Sequence, residues 1–284
     1  MECLEMTVLF LLQHLRKDKE VLVLRHKPVT GLTMLCALSF AFGWGCVTQE
    51  KAIKVKNALP PEKVAYFSDS FDSLRQGLWE KVGMVYSEKQ LENFKLAEPR
   101  IQDGEVVVQT EVGGFSKGGL ASKFILQGDF DIQLDCHMDF PEDLQQMDWI
   151  TVFGVFEVGG TIGDTTGAQI SMVRKMLTMK NLLGSSYIER GTLHRGAFTR
   201  IADFDGTLRL VRKGDRITAL YRLQGEPEWS ELGTHPFTNK DAFVGFKVQN
   251  FLASRKVIQA LSSVSAAFDE FRINAAEGIV ESEI

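Results

Sequence analysis

Cysteine is scarce in this chain and poorly placed for cross-linking. Of four in 284 residues, Cys3, Cys36 and Cys46 fall within the first 46, leaving Cys136 alone in everything that follows. A lone thiol excludes a disulfide within the downstream region. Cys136 alternates with Ile132, Leu134 and Met138, the placement of a buried structural thiol rather than a nucleophile. Histidine is nearly as scarce, and His137, His194 and His235 show no metal-ligand spacing. Positive charge is not in excess: the net charge of −5 lacks the basic balance that a nucleic-acid partner requires. No long amphipathic helix is present, and Lys89–Ala97 offers only a short one. No nucleophile elbow, zinc motif or dinucleotide fingerprint occurs. Gly154–Gly167 is glycine-rich but lacks the Gly-Lys-Ser/Thr ending of a phosphate loop, so it reads as a strand connection.

What is present is β-rich. Twenty Phe, twenty-five Gly and 44% hydrophobic residues accompany short alternating runs, and the length is ample for a large core. Strand signals recur at Ile101–Thr110 with an Asp103-Gly104 turn, at Leu120–Leu126, Phe130–Phe140, Trp149–Val158, Ala168–Val173, Phe243–Val248 and Ala267–Ile273. Many short strands without helical periods predict a sandwich or barrel. The segment Arg174–Arg200 is locally basic and reads as a solvated face, with recognition of an acidic glycan as the alternative.

The most specific stretch is 206–232, GTLRLVRKGDRITALYRLQGEPEWSEL. Two alternating runs, Leu208–Arg212 and Arg216–Arg222, flank the turn Lys213-Gly214-Asp215. A second turn follows at Gln224-Gly225-Glu226-Pro227, and Trp229 opens the next strand. This order of turns, strands and Trp resembles the concanavalin A-like (LamG-like) sandwich domains. The ends add to the resemblance, because SDSFDSL at 68–74 echoes AAFDEFRI at 266–273, and in that family the first and last strands commonly pair. The resemblance implies an all-β fold: a two-sheet antiparallel jelly roll over residues 66–274. It also implies that Trp79 and Trp229 pack as aromatics under hairpins. Many related sandwiches hold calcium, for which Asp164 and nearby carbonyls offer a place, although no Asp-x-Asp loop accompanies it; no other cofactor is implied.

Phe130–Phe140 has the cleanest alternation. Phe130, Ile132, Leu134, Cys136, Met138 and Phe140 point one way, and Asp131, Gln133, Asp135, His137 and Asp139 the other. In laminarinase-like hydrolases of this family, alternating Glu and Asp on one strand supply nucleophile and acid/base. Gln133 and His137 interrupt that pattern here. Asp131 and Asp135 stand two pleats apart, beyond the roughly 5–5.5 Å that retaining hydrolysis requires. The stripe therefore reads as a solvated outer face, with a ligand face through Asp135 and His137, or catalysis by Asp131 and Asp135, as alternatives. The run from Trp149 is apolar on both faces, so its strand is central or lines an aromatic groove. Trp149, with Phe153, is the candidate stacking platform for a sugar, and core packing is the competing reading.

The N-terminus is organised differently. Residues 31–47, GLTMLCALSFAFGWGCV, are uncharged and follow Arg25, His26 and Lys27. They resemble a bacterial lipoprotein signal ending at Gly43-Trp44-Gly45, with Cys46 carrying the lipid. Gly43 and Trp44 depart from the usual box, and a single membrane helix is the other reading. Residues 1–24 do not fit a basic leader, and a start downstream of them is one explanation. The resulting organisation is a signal segment over 1–45, a tether over 46–65 containing Pro60-Pro61, the sandwich over 66–274 and a flexible tail over 275–284. Val47 after the cysteine fits outer-membrane sorting, as the resemblance to lipoproteins implies. The expectation is an envelope lipoprotein, on the outer membrane or the periplasmic face, that binds a carbohydrate or another envelope component without catalysis. The alternative is a glycoside-acting hydrolase. The partners expected are carbohydrate and membrane, not nucleic acid.

Overall fold

The computed structural model describes residues 54–82, 94–140, 150–159, 166–175, 180–238, 241–250 and 262–282. Cys46, Trp149 and Asp164 lie outside them. Among the described residues one short helix, α1 (Pro61–Phe67), precedes the strands; proline in its first turn removes a donor that would otherwise be orphaned. The strands are β1 (Trp79–Lys81), β2 (Phe94–Leu96), β3 (Arg100–Gln102), β4 (Glu105–Gln109), β5 (Phe115–Ser122), β6 (Phe124–Met138), β7 (Ile150–Gly159) and β8 (Gly167–Lys175). They continue with β9 (Lys180–Glu189), β10 (Thr192–Arg200), β11 (Phe204–Lys213), β12 (Arg216–Leu223), β13 (Ser230–Pro236), β14 (Asp241–Asn250) and β15 (Ser265–Glu281).

These strands form two sheets. In the first, β1 and β2 share one edge of β5, and β14, β7, β8, β9 and β10 follow in order. The second runs β3, β4, β15, β6, β11, β12, β13. All pairings are antiparallel except β2 with β5. The start of β14 also pairs with β6 at Asp241–Gln127 and Ala242–Leu126, joining the sheets at one corner. This is the two-sheet antiparallel sandwich expected from the sequence.

The turn chemistry follows the residues. Asp103 and Gly104 both have positive φ, the geometry that closes a two-residue hairpin between β3 and β4. Gly214 does the same work between β11 and β12, with φ +62° and its N–H donating to Asp129 Oδ1 at 2.6 Å. Alternation along β6 sends Phe130, Ile132, Leu134, Cys136 and Met138 into the space between the sheets, all buried. Leu208 and Leu210 of β11 join them from the next strand. At one end of the core, Trp79 meets Phe271, Phe246, Phe71 and Phe124 with ring centres 5.2–5.8 Å apart. Its indole N–H donates to buried Asp69 Oδ2 at 2.8 Å, so the polar handle is satisfied.

Three expected boundaries move. Residues 61–65 are helical rather than tether: Val64 and Leu59 pack on the core, and Leu59 N–H donates to Ala276 O. Residues 275–281 are not a free tail, because β15 runs on through Glu281 and pairs with β6 as far as Phe124. Apolar Ala276 and Ile279, both buried, hold that extension down. Residues 94–96, the end of the expected short helix, form β2, which pairs along β5. The two echoing ends do meet, through the pair Asp69–Phe271.

Candidate functional site

The outer face of the second sheet carries the polar stripe of β6, and neighbouring strands complete it. Register places Asp269 of β15, Asp135 of β6, Thr207 of β11 and Arg222 of β12 side by side. The adjacent row is Ala267, His137 and Asp205. Side chains opposite one another on adjacent strands stand about 4.5–5.5 Å apart at Cβ, so these groups form one continuous surface. They line a hollow of about 400 Å³, walled by Glu105 of β4 and by the turn Gln224–Glu226. A second hollow of similar volume adjoins it, sharing His137 and Ala267 and reaching Phe140 and Ser263. Together they make a trough across β12, β11, β6, β15 and β4.

Asp135 is held but reachable. Thr207 Oγ1 donates to one of its oxygens at 2.6 Å and Arg272 to the other at 3.0 Å. His137 is half exposed, with Nε2 3.4 Å from Asp139 and Nδ1 3.9 Å from Asp205. Asp269 faces Asp135 directly. Burial pushes its carboxyl above the usual aspartate range, the Glu270 N–H and Arg272 oppose this, and the charges of Asp135 and Asp72 add to it. It lies at a bulge of β15 between Asp269 and Arg272, where Glu270 takes a positive φ of 46°. Behind the sheet, burial pushes the Cys136 thiol up, and Asp135, Asp205 and Glu105 add to the shift. A thiol so placed stays protonated and is no nucleophile.

Asp131, four residues back on the same face, is not in the trough. It is fully buried, and Arg209 donates to both of its oxygens, from Nε at 2.8 Å and from Nη2 at 2.5 Å. Asn274 Nδ2 donates to Asp131 Oδ1 and to Gln133 Oε1, each at 3.0 Å. The solvated outer face read for this stripe is thus corrected for its first half, where Asp131 and Gln133 are buried in a closed network. A carboxylate clamped by a guanidinium fork and shut off from water does not serve as an acid or nucleophile, which removes Asp131 from the catalytic pair.

The expected ligand residues are divided between the sheets. Asp135 and His137 stand together in the trough, whereas Phe153 belongs to β7 of the first sheet. The strands β7 and β6, which carry Phe153 and Asp135, lie in different sheets. Trp79 is buried in the core as expected. Trp229 is half-buried and packs against the β11–β12 hairpin, with Arg222 4.7 Å and Arg209 4.9 Å from its ring centre. Thr207, Arg209, Arg222 and Asp269 were missed as site residues. Each sits at an outward position of a readable strand, but their meeting depends on register between strands far apart in the sequence, as where Asp269 of β15 comes opposite Asp135 of β6.

Among the described residues no group of three or more His, Cys, Asp or Glu is arranged to hold a metal ion. Among the same residues no helix is long and apolar enough to cross a membrane. Arg174 of the basic segment is buried, donating to Asn181 Oδ1 at 2.8 Å and lying over Phe140. It is a packing residue there rather than part of a solvated face.

No family model and no curated protein matches the chain. Solved structures do resemble it. A Bacillus licheniformis β-glucanase is 16% identical over 73% of this chain and 96% of its own, with a TM-score of 0.46. LamAcat from Zobellia galactanivorans is 11% identical over 74% and 99%, with a TM-score of 0.48. The CBM2 module of the evolved Dit of Lactobacillus casei BL23 phage J-1 is 9% identical over 73% and 95%, at 0.46. These likenesses concern the fold alone.

Proposed function

We propose that this chain is a carbohydrate-binding sandwich held at a bacterial cell envelope by a lipid on Cys46, and that it binds without cleaving. The trough carries the reading. Its floor sets the acceptors Asp269, Asp135 and Asp205 beside the donors Arg222 and His137, on strands about 4.8 Å apart. An extended, hydroxyl-rich chain meets such groups one after another, and open walls admit a polymer rather than a single enclosed molecule. Binding without cleavage is supported by the state of the β6 acids. Asp131 is clamped by Arg209, and both oxygens of Asp135 accept hydrogen bonds from Thr207 and Arg272.

One observation favours the glycoside-acting alternative. Asp269, whose carboxyl burial holds above the usual aspartate range, faces Asp135, and two neighbouring carboxyl groups in unlike surroundings are what glycoside hydrolysis uses. Calorimetric titration of soluble glucans and chitin oligosaccharides, with reducing-end release followed in parallel, separates the two readings. Binding with no release, weakened only modestly in Asp135→Asn, supports the first. Turnover that disappears in Asp135→Asn or Asp269→Asn establishes the second. For the anchor, wild type should partition into detergent and take up a palmitate label, and Cys46→Ser should do neither. Continued labelling of Cys46→Ser would remove the anchor from the reading.

A further inference from the structure

The geometry points to Trp229 as the aromatic platform of the trough, and to the buried Asp131–Arg209 pair as the clamp that sets its ring; this rests on the carbohydrate-binding reading above. Arg222 connects the two. It lines the hollow beside Thr207, and its guanidinium lies 4.7 Å from the Trp229 ring centre. The turn leading to Trp229 is part of the hollow's wall, and Gln224 N–H fastens it to Asp205 O at 2.8 Å. The ring is therefore tied to the same framework as the polar floor.

Arg209 stands 4.9 Å from the same ring centre and is locked by two bonds to Asp131. The two side chains are 4% and 1% exposed, respectively, so this ion pair is desolvated on what would otherwise be a solvent face. A buried ion pair is a weak source of stability, because desolvation offsets its attraction. What it supplies here is orientation. A guanidinium held planar and immobile by a carboxylate offers a flat surface on which an indole stacks in one pose. The apolar face of a sugar ring packs on an indole so presented, while Arg222, Asp135 and His137 take its hydroxyls. Trp229 is thus a binding residue, and Asp131 and Arg209 are positioning residues that act through it.

The test uses the intact protein and calorimetry with laminarihexaose, cellohexaose and chitohexaose. Trp229→Ala should lower affinity for whichever oligosaccharide binds at least tenfold, and Trp229→Phe should fall between. Replacing both clamp partners together, Asp131→Leu with Arg209→Met, leaves no charge buried alone and should keep the chain folded. It should nevertheless weaken binding several-fold and shift to longer wavelength the part of the tryptophan emission that Trp229→Phe removes. A merely structural clamp would leave both affinity and that emission unchanged. If an oligosaccharide binds and Trp229→Ala binds it as wild type does, the platform is refuted while the binding reading stands. Should none of the three bind wild type, both fall together.

Discussion

Asp131 and Asp135 occupy the same face of the same strand, two pleats apart, yet their surroundings are opposite. Around Asp131 the neighbours are Arg209 and Asn274, which consume its acceptors and exclude water. Around Asp135 the neighbours are Thr207, Arg272 and Asp269, which hold it at the floor of an open trough. Chemistry therefore separates along a single strand according to what the flanking strands bring. A carboxylate clamped between a guanidinium fork and an amide becomes structure, and one beside a second carboxylate stays part of the reachable surface.

The largest test of that contrast is to neutralise each acid. Asp131→Asn leaves Arg209 buried without its counter-charge and should cost about 3–5 kcal/mol in urea unfolding. Asp135→Asn, at a half-exposed pair, should cost under about 1 kcal/mol. Equal losses would mean that the burial difference has no energetic meaning. On the reverse side of β6, Leu134, one of the two core residues between them, is fully buried, and Leu134→Ala should cost about 2–5 kcal/mol through the cavity it leaves. A loss below that of Asp135→Asn would show that the two sheets are not packed against one another there.

Histidine repeats the contrast. His137 lies open in the trough, while His235 of β13 is buried, 2.8 Å from Ser185 of β9 and stacked on Tyr187, so it ties one sheet to the other. Burial, with Arg216 adding and Glu231 opposing, holds His235 below the ordinary imidazole value of 6.5. Below that pH the unfolded chain takes up a proton that the folded chain resists. Stability should therefore be full above about pH 6.5 and fall as the pH drops through and below it. His235→Gln should be less stable than wild type at pH 7.5 by about 1–3 kcal/mol, the size of a buried polar group deprived of its partner. Its stability should also decline less between pH 6.5 and 4.5. An unchanged slope would rule out His235 as the source.

The smallest expected effect has the opposite sign. Asp269, raised by burial and by Asp135 beside it, binds its proton more tightly when folded, so its ionisation opposes folding as pH rises above the usual aspartate value of 3.8. Asp269→Asn should stabilise the chain at pH 7 by roughly 0.2–1 kcal/mol, the range of a like-charge cross-strand pair. The gain should vanish near pH 3.5. A destabilised variant at pH 7 would mean that Asp269 is held by bonds its amide cannot replace.

The alternation of β6 and the β11–β12 hairpin were legible because a pleated strand writes its two faces at a period of two, and a two-residue turn needs glycine where φ is positive. The lone Cys136 was readable as a core thiol for the same reason. The continuation of β15 past residue 274 was not, since Asn274-Ala-Ala-Glu-Gly lacks alternation and is fixed by pairing with β6. Local sequence also determined that Asp131, Gln133, Asp135 and His137 share a face. Only the tertiary structure decided which of them water reaches. Arg209 lies 78 residues from Asp131 and Asn274 lies 143 from it, and strand register, set by the whole sheet rather than by any one segment, brings them together.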